Sequence, residues 1–138
     1  MSSSLIRSLF RTALDSQLAR EEQYVDAIAM QAESEDLPER FLSLQFLGAT
    51  EDRISIGTPS CWRERGTCRV WVVGLAGDGD AAVTSRADQV KDFFRNWGVP
   101  AAQLRAVGIT PPTQLNFRSA GRWFSVVVDV AFQRDFFT

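Results

Sequence analysis

Residues 121–137 read GRWFSVVVDVAFQRDFF, and they carry the clearest strand signal in the chain. Large apolar residues recur at every second position, at Phe124, Val126, Val128, Val130 and Phe132. A period of two is typical of a β-strand that buries one face. The stretch therefore predicts a long strand in a sheet that is covered on one side.

Other runs predict further strands. Residues 41–49, FLSLQFLGA, repeat the period of two, and residues 53–57, RISIG, form a second run. A nine-residue connection, 58–66, leads to a third run at 68–76, CRVWVVGLA, and antiparallel pairing is the simplest topology for such a connection. Short strands are predicted at VDAIAM (25–30) and LRAVGIT (104–110), with the acidic segment QAESEDLPER (31–40) as a loop.

Two segments have the periodicity of amphipathic helices. The first begins near Ser4, ends near Glu22 and has a stripe formed by Leu5, Leu9, Ala13, Leu14 and Leu18, widened by Ile6 and Phe10. The second has the stripe Val83, Ala87, Val90, Phe94 and Trp97, and Gly98 and Pro100 stop it. The order of elements predicts one α+β domain over residues 1–138. Its sheet is mostly antiparallel, or mixed, and two α-helices pack on one face.

The amino-acid composition limits the classes of protein to which the chain can belong. Hydrophobic residues make up 45% of the chain and charged residues 23%, as in ordinary globular proteins. The formal net charge is -2, so the chain lacks the excess of positive charge that is typical of proteins that bind nucleic acid directly. No run approaches the length of a membrane span, and no secretory signal is evident, so reduced thiols in the cytoplasm are expected.

The residues that usually carry catalysis are scarce. The chain has no histidine, which excludes Ser-His-Asp and Cys-His pairs. Two cysteines, Cys61 and Cys68, cannot complete a zinc site by themselves, and a disulfide between them stays open as an alternative. Cys61 beside Arg63 and Arg65 could be an activated thiol, but it has no evident base. We expect no enzyme activity, no cofactor and no metal.

One glycine-rich motif suggests an enzyme. Gly77, Gly79 and Ala82 match the G-x-G-x-x-A form of the dinucleotide fingerprint, between a predicted strand and a predicted helix. However, Asp78 and Asp80 would face a pyrophosphate, and no acidic residue follows at the spacing that binds a ribose. A structural turn is the preferred interpretation, with a small nucleotide-binding enzyme as the alternative.

Aromatic and arginine residues stand together at two places. Trp62 lies among Arg63, Glu64 and Arg65, and Phe136 and Phe137 follow Arg134 near the end of the chain. Tryptophan with arginine is the composition of interface hot spots. The alternative is that these aromatic side chains close the protein's own core.

The whole layout resembles the tail terminator, or tail completion, proteins of long-tailed bacteriophages and related prophages. The features that carry the resemblance are IRSLFRTALDSQLA, DAIAMQAESEDLPERFLSLQFL, GTCRVWVVGLAGDG, AAVTSRADQVKDFFR and GRWFSVVVDVAF, in that order over nearly the full chain. The resemblance implies a virion assembly protein that forms a ring, expected to be hexameric, on the end of the tail tube. There it stops polymerisation and provides the surface for head joining.

These implications set the expected partners and surfaces. The partners are other copies of the chain, the tail tube protein and a head completion or connector protein, in the host cytoplasm during assembly and then in the virion tail. Head-to-tail ring contacts need two complementary patches, and our hypothesis pairs Glu33, Glu35 and Asp36 with Arg63, Arg65 and Arg69. A different head-tail connector or a baseplate component is the alternative structural role.

Overall fold

The computed structural model describes residues 4–18, 22–26, 37–75, 80–116 and 123–137. In these ranges the chain has the predicted α+β class, with two helices and one mixed sheet. The helices are α1 (Ser4–Gln17) and α2 (Asp80–Arg95). The strands are β1 (Gln23–Tyr24), β2 (Phe41–Arg53), β3 (Cys61–Leu75), β4 (Gly98–Val99), β5 (Leu104–Ile109), β6 (Thr113–Gln114) and β7 (Trp123–Phe137).

The sheet has the order β1-β2-β3-β7-β5-β4, and β6 also pairs with β7. Only β1 and β2 are parallel among the described strands, and every other pair is antiparallel. Because β3 and β5 both pair antiparallel with β7, they run in the same direction with β7 between them. The chain passes from β3 through α2 to β4 and β5, and β7 then fills the central position.

Both helices pack on the same face of the sheet. The buried face of α2 includes Val83, Ala87, Val90 and Phe94, as its periodicity predicts. On β7 the alternating residues from Val126 to Phe132 are buried against the helices, which confirms the predicted strand.

The buried stripe of α1 differs from the predicted one. Its centre is Ile6, Phe10 and Leu14, all fully buried, whereas Leu5 is 42% exposed. These three residues are four apart and therefore lie on one face, and Phe10 supplies the largest side chain of that face. The helix also ends at Gln17, before the predicted end near Glu22.

The strand predicted at residues 53–57 and the connection predicted at 58–66 are both wrong. β2 continues to Arg53, the connection spans residues 54–60, and β3 already begins at Cys61. The first part of β3 is held by charged partners across the sheet, so it lacks the apolar pattern that reveals a strand. Of the strand predicted at 25–30, only residues 25 and 26 are described; they follow the end of β1 at Tyr24, and residues 27–30 lie outside the described ranges.

A small second core covers part of the opposite face of the sheet. Phe41, Trp71, Val73 and Val127 are buried there, and Leu37 and Trp123 pack against them. The indole Nε1 of Trp71 donates a hydrogen bond to Oε1 of Gln45 at 3.0 Å. This part of the sheet is therefore buried on both faces, and the two helices of the described ranges lie on one of them.

Candidate functional site

The glycine turn follows β3 and precedes α2, but residues 76–79, including Gly77 and Gly79, lie outside the described ranges. Both neighbours of β3 are antiparallel to it, unlike the parallel strands that flank a dinucleotide-binding turn. Arg86, the first basic residue after the turn, already binds other residues of the chain. Its Nε donates to both carboxylate oxygens of Glu22 at 2.9 Å, and its Nη2 donates to the carbonyl of Gln17.

The two cysteines are free and buried. They are seven residues apart on β3, so their side chains point to opposite faces of the sheet and cannot bond to each other. Burial raises the pKa of the Cys68 thiol well above its ordinary value. The described residues contain no group of three or more acidic, cysteine or histidine side chains that could hold a metal ion.

Two of the three predicted interface arginines on β3 are paired within the chain. Arg63 donates to Asp135 through Nε at 2.8 Å and Nη2 at 3.1 Å, and Arg69 donates to Asp129 at the same two distances. Each pair joins directly opposite residues of β3 and β7. The hydrogen bond from Arg63 is the main reason that the pKa of Asp135 is lowered. These two arginines therefore help to hold β3 and β7 together.

Arg65 lies between them in sequence and is exposed. It sits directly opposite Gln133 of β7, which is also opposite Arg105 of β5. When the amide of Gln133 is oriented with its oxygen toward the arginines, that oxygen accepts from Arg63 Nε at 3.2 Å and from Arg105 Nη2 at 2.9 Å. Arg105 thus joins the predicted patch, and the sequence could not indicate this because β5 approaches β7 only in the folded chain.

The acidic residues of the hypothesis, Glu33, Glu35 and Asp36, lie outside the described ranges. Their pairing with the arginines of β3 stays a prediction.

The predicted aromatic and arginine residues meet beyond a register shift in β2 between Phe46 and Ala49. We call this part of the sheet the distal end: Ala49–Arg53, residues 54–60, Cys61–Gly66 and Phe132–Phe137. Here Trp62 lies between Arg53 on β2 and Phe136 on β7. The guanidinium carbon of Arg53 is 5.0 Å from the centre of a Trp62 ring, and that of Arg134 is 4.9 Å from the centre of the Phe136 ring. Because Trp62 and Phe136 are both half-buried, they pack within the chain and also reach its surface.

Three large apolar side chains at the distal end are exposed, which the sequence pattern does not predict. Ile56 is 98% exposed, Phe137 61% and Ile54 43%. The amide of Ile54, the first residue after β2, donates to the carbonyl of Cys61 on β3, and the buried Cys61 is directly opposite Phe137 on β7. Gly57 and Pro59 follow Ile54 and Ile56 closely in sequence, and glycine and proline at this spacing indicate a turn rather than a strand.

A depression of about 490 Å³ lies on the other side of β7, beside β4 and the end of α2. Its lining includes Arg95, Trp97, Pro100, Gln103, Arg105 and Asp135. Two guanidinium groups thus border a concave surface with an apolar wall. Neither helix in the described part of the chain is long and apolar enough to cross a membrane.

Comparison with known proteins informs the fold only. No family model matches the chain, and no curated protein matches it. Solved structures are similar, among them one whose name is a serial designation that states no function. It is 20% identical with a TM-score of 0.59, over 100% of this chain and 99% of that chain. At this identity the likeness shows a shared fold over the full length of both chains.

Proposed function

We propose that this protein is a structural subunit of a phage tail. In this role it forms a ring on the end of the tail tube, stops tube polymerisation and provides the surface to which the head joins. The order of sequence features that resembles tail terminator proteins supports this proposal. The observation that carries it is the group of exposed apolar side chains at the distal end, which are Ile54, Ile56 and Phe137.

Isolated exposed apolar residues are common on protein surfaces, but contiguous ones mark interaction sites. Burying a side chain such as Ile56 in a partner is favourable by about 1.5–3 kcal/mol. Ile54 and Phe137 both lie next to Cys61, whereas Trp62 and Phe136 point to the other face of the sheet because side chains alternate along a strand. The distal end therefore carries aromatic and aliphatic side chains on both faces, with arginines beside them, which is the chemistry of protein interfaces. In the proposed role the distal end contacts the tube.

The test uses purified tail tube protein of the same phage, polymerised in the presence and absence of this chain. We expect the chain to shorten the tubes and to form a ring at one tube end in negative-stain electron micrographs. The variant Ile56→Asp should lose tube capping while its thermal unfolding stays unchanged, since this side chain makes almost no contact with its own chain.

The matched control is Leu5→Asp, which also replaces an exposed aliphatic side chain by a carboxylate, at the first turn of α1. An acidic residue is favourable there because it faces the positive end of the helix dipole. The control should cap tubes like the unchanged protein. Tubes that grow to the same length with or without the chain would refute the proposed function.

A further inference from the structure

The two edges of the sheet differ in chemistry. At one edge, β2 pairs with β1 only at Phe41 and Leu42, so its outer side from Ser43 to Arg53 has no strand partner in the described part of the chain. At the other edge, β4 covers only the start of β5. Open sheet edges are ready sites for association, and a head-to-tail assembly needs two different patches on each copy.

The open edge of β2 carries two exposed carboxylates, Glu51 and Asp52, just before the exposed Arg53 that ends the strand. Glu51 is directly opposite Glu64, which is only 1% exposed and is itself directly opposite Arg134 of β7. Two acidic residues in directly opposite positions are unfavourable neighbours when both are charged. Asp52 is directly opposite Arg63, which donates to Asp135. Neither Glu51 nor Asp52 forms an ion pair with another described residue. A cation from outside the chain would therefore stabilise this edge.

The opposite edge supplies cations. Arg95 and Arg105 border the depression of about 490 Å³ beside β4. Arg95 pairs at 3.2 Å with Asp92, but both side chains are more than half exposed, and such pairs contribute little. Arg105 donates to the neutral oxygen of Gln133. The one carboxylate in the lining, Asp135, is already paired with Arg63. The planar guanidinium groups can thus donate to carboxylates from outside the chain, which they match in shape.

We infer that Glu51 and Asp52 of one copy bind Arg95 and Arg105 of the next copy, which joins the subunits head to tail. This inference rests on the proposed function, for which it identifies the contact between neighbours in the ring. In this contact the basic side consists of Arg95 and Arg105 at the opposite edge of the sheet. Arg63 and Arg69, which the sequence suggested for that side, are paired within the chain. Nucleic acid in the depression would leave the acidic edge without a counterpart, whereas a second copy satisfies both edges at once.

The experiment uses two charge-reversed variants of the full chain. The depression variant carries Arg95→Glu and Arg105→Glu, and the edge variant carries Glu51→Arg and Asp52→Arg. Each variant alone brings like charges together at the contact, so its self-association, measured by sedimentation equilibrium, should weaken at least about tenfold. An equimolar mixture restores opposite charges at every contact and should recover the association of the unchanged protein.

The control variant carries Glu39→Arg and Arg40→Glu, which exchange two exposed charges just before β2, at the end of that strand remote from Glu51 and Asp52. It should associate like the unchanged protein. The inference is overturned if the unchanged chain stays monomeric up to about 1 mM, if either folded variant associates normally, or if the mixture does not recover. Tube capping by the unchanged protein would still support the proposed function in those cases, so the two failures are distinguishable.

Discussion

The substitution Phe10→Ala tests the packing of α1 most directly. Phe10 is fully buried between both helices and the sheet. Its ring centre lies 4.6 Å from that of Trp97, 5.4 Å from Phe132, 5.7 Å from Phe46 and 5.8 Å from Phe94. The side chain therefore joins α1, α2, β2 and β7 in one aromatic cluster.

The size of the effect follows from these contacts. Truncating a fully buried phenylalanine to alanine lowers the free energy of unfolding by about 3–5 kcal/mol. In a chain of 138 residues that corresponds to a fall in Tm of roughly 10–20 °C. Leu5→Ala removes a side chain that is 42% exposed and should cost less than about 0.5 kcal/mol.

Urea unfolding followed by tryptophan fluorescence measures both variants, and the contact of Trp97 with Phe10 makes the emission sensitive to this cluster. Equal losses for the two variants would mean that the buried stripe of α1 is the one that the sequence predicted, centred nearer Leu5. A loss below about 1.5 kcal/mol for Phe10→Ala would also refute the packing described here.

Two further predictions concern the sheet. The pKa of Asp135 is lowered by Arg63, so the stabilisation from this carboxylate is present at neutral pH and is lost as the pH falls through the lowered value. The stability difference between the unchanged protein and Asp135→Asn should thus be constant above about pH 5 and shrink in more acidic solution, and urea titrations that give a pH-independent difference would contradict this. A methyl group on Gly66 would lie 2.7 Å from Cζ of Phe132, whereas one on Gly48 would meet nothing within 4 Å. Calorimetry should therefore show a loss of about 1–3 kcal/mol for Gly66→Ala and a much smaller change for Gly48→Ala, and similar losses would count against the close approach.

The parts of the fold that depend on apolar periodicity could be predicted from the sequence. The buried residues of α2 and the alternation on β7 are local patterns, and the structure confirms both. The start of β3 could not be predicted in the same way. Arg63 and Arg65 read as loop residues because what holds them in a strand is distant in sequence: Asp135 and Gln133 on β7.

The candidate site shows the same limit. The sequence indicates Trp62 and Phe136 as interface candidates, but it does not show that they are opposite each other on neighbouring strands. It does not indicate Arg105, because β5 reaches the arginines of β3 only through β7. The sequence pattern predicts a strand at Ile56, whereas this residue lies in the connection 54–60, where it is 98% exposed.

The position of β7 between β3 and β5 has a consequence for biosynthesis. β3 and β5 are both translated before β7, which pairs with each of them. In the nascent chain the facing edges of β3 and β5 therefore stay unpaired until β7 has left the ribosome. During that interval the half-made sheet is open to aggregation and is a substrate for chaperones. β3 and β5 can therefore join one sheet only after β7 has been translated, and a subunit becomes competent for assembly no earlier than that.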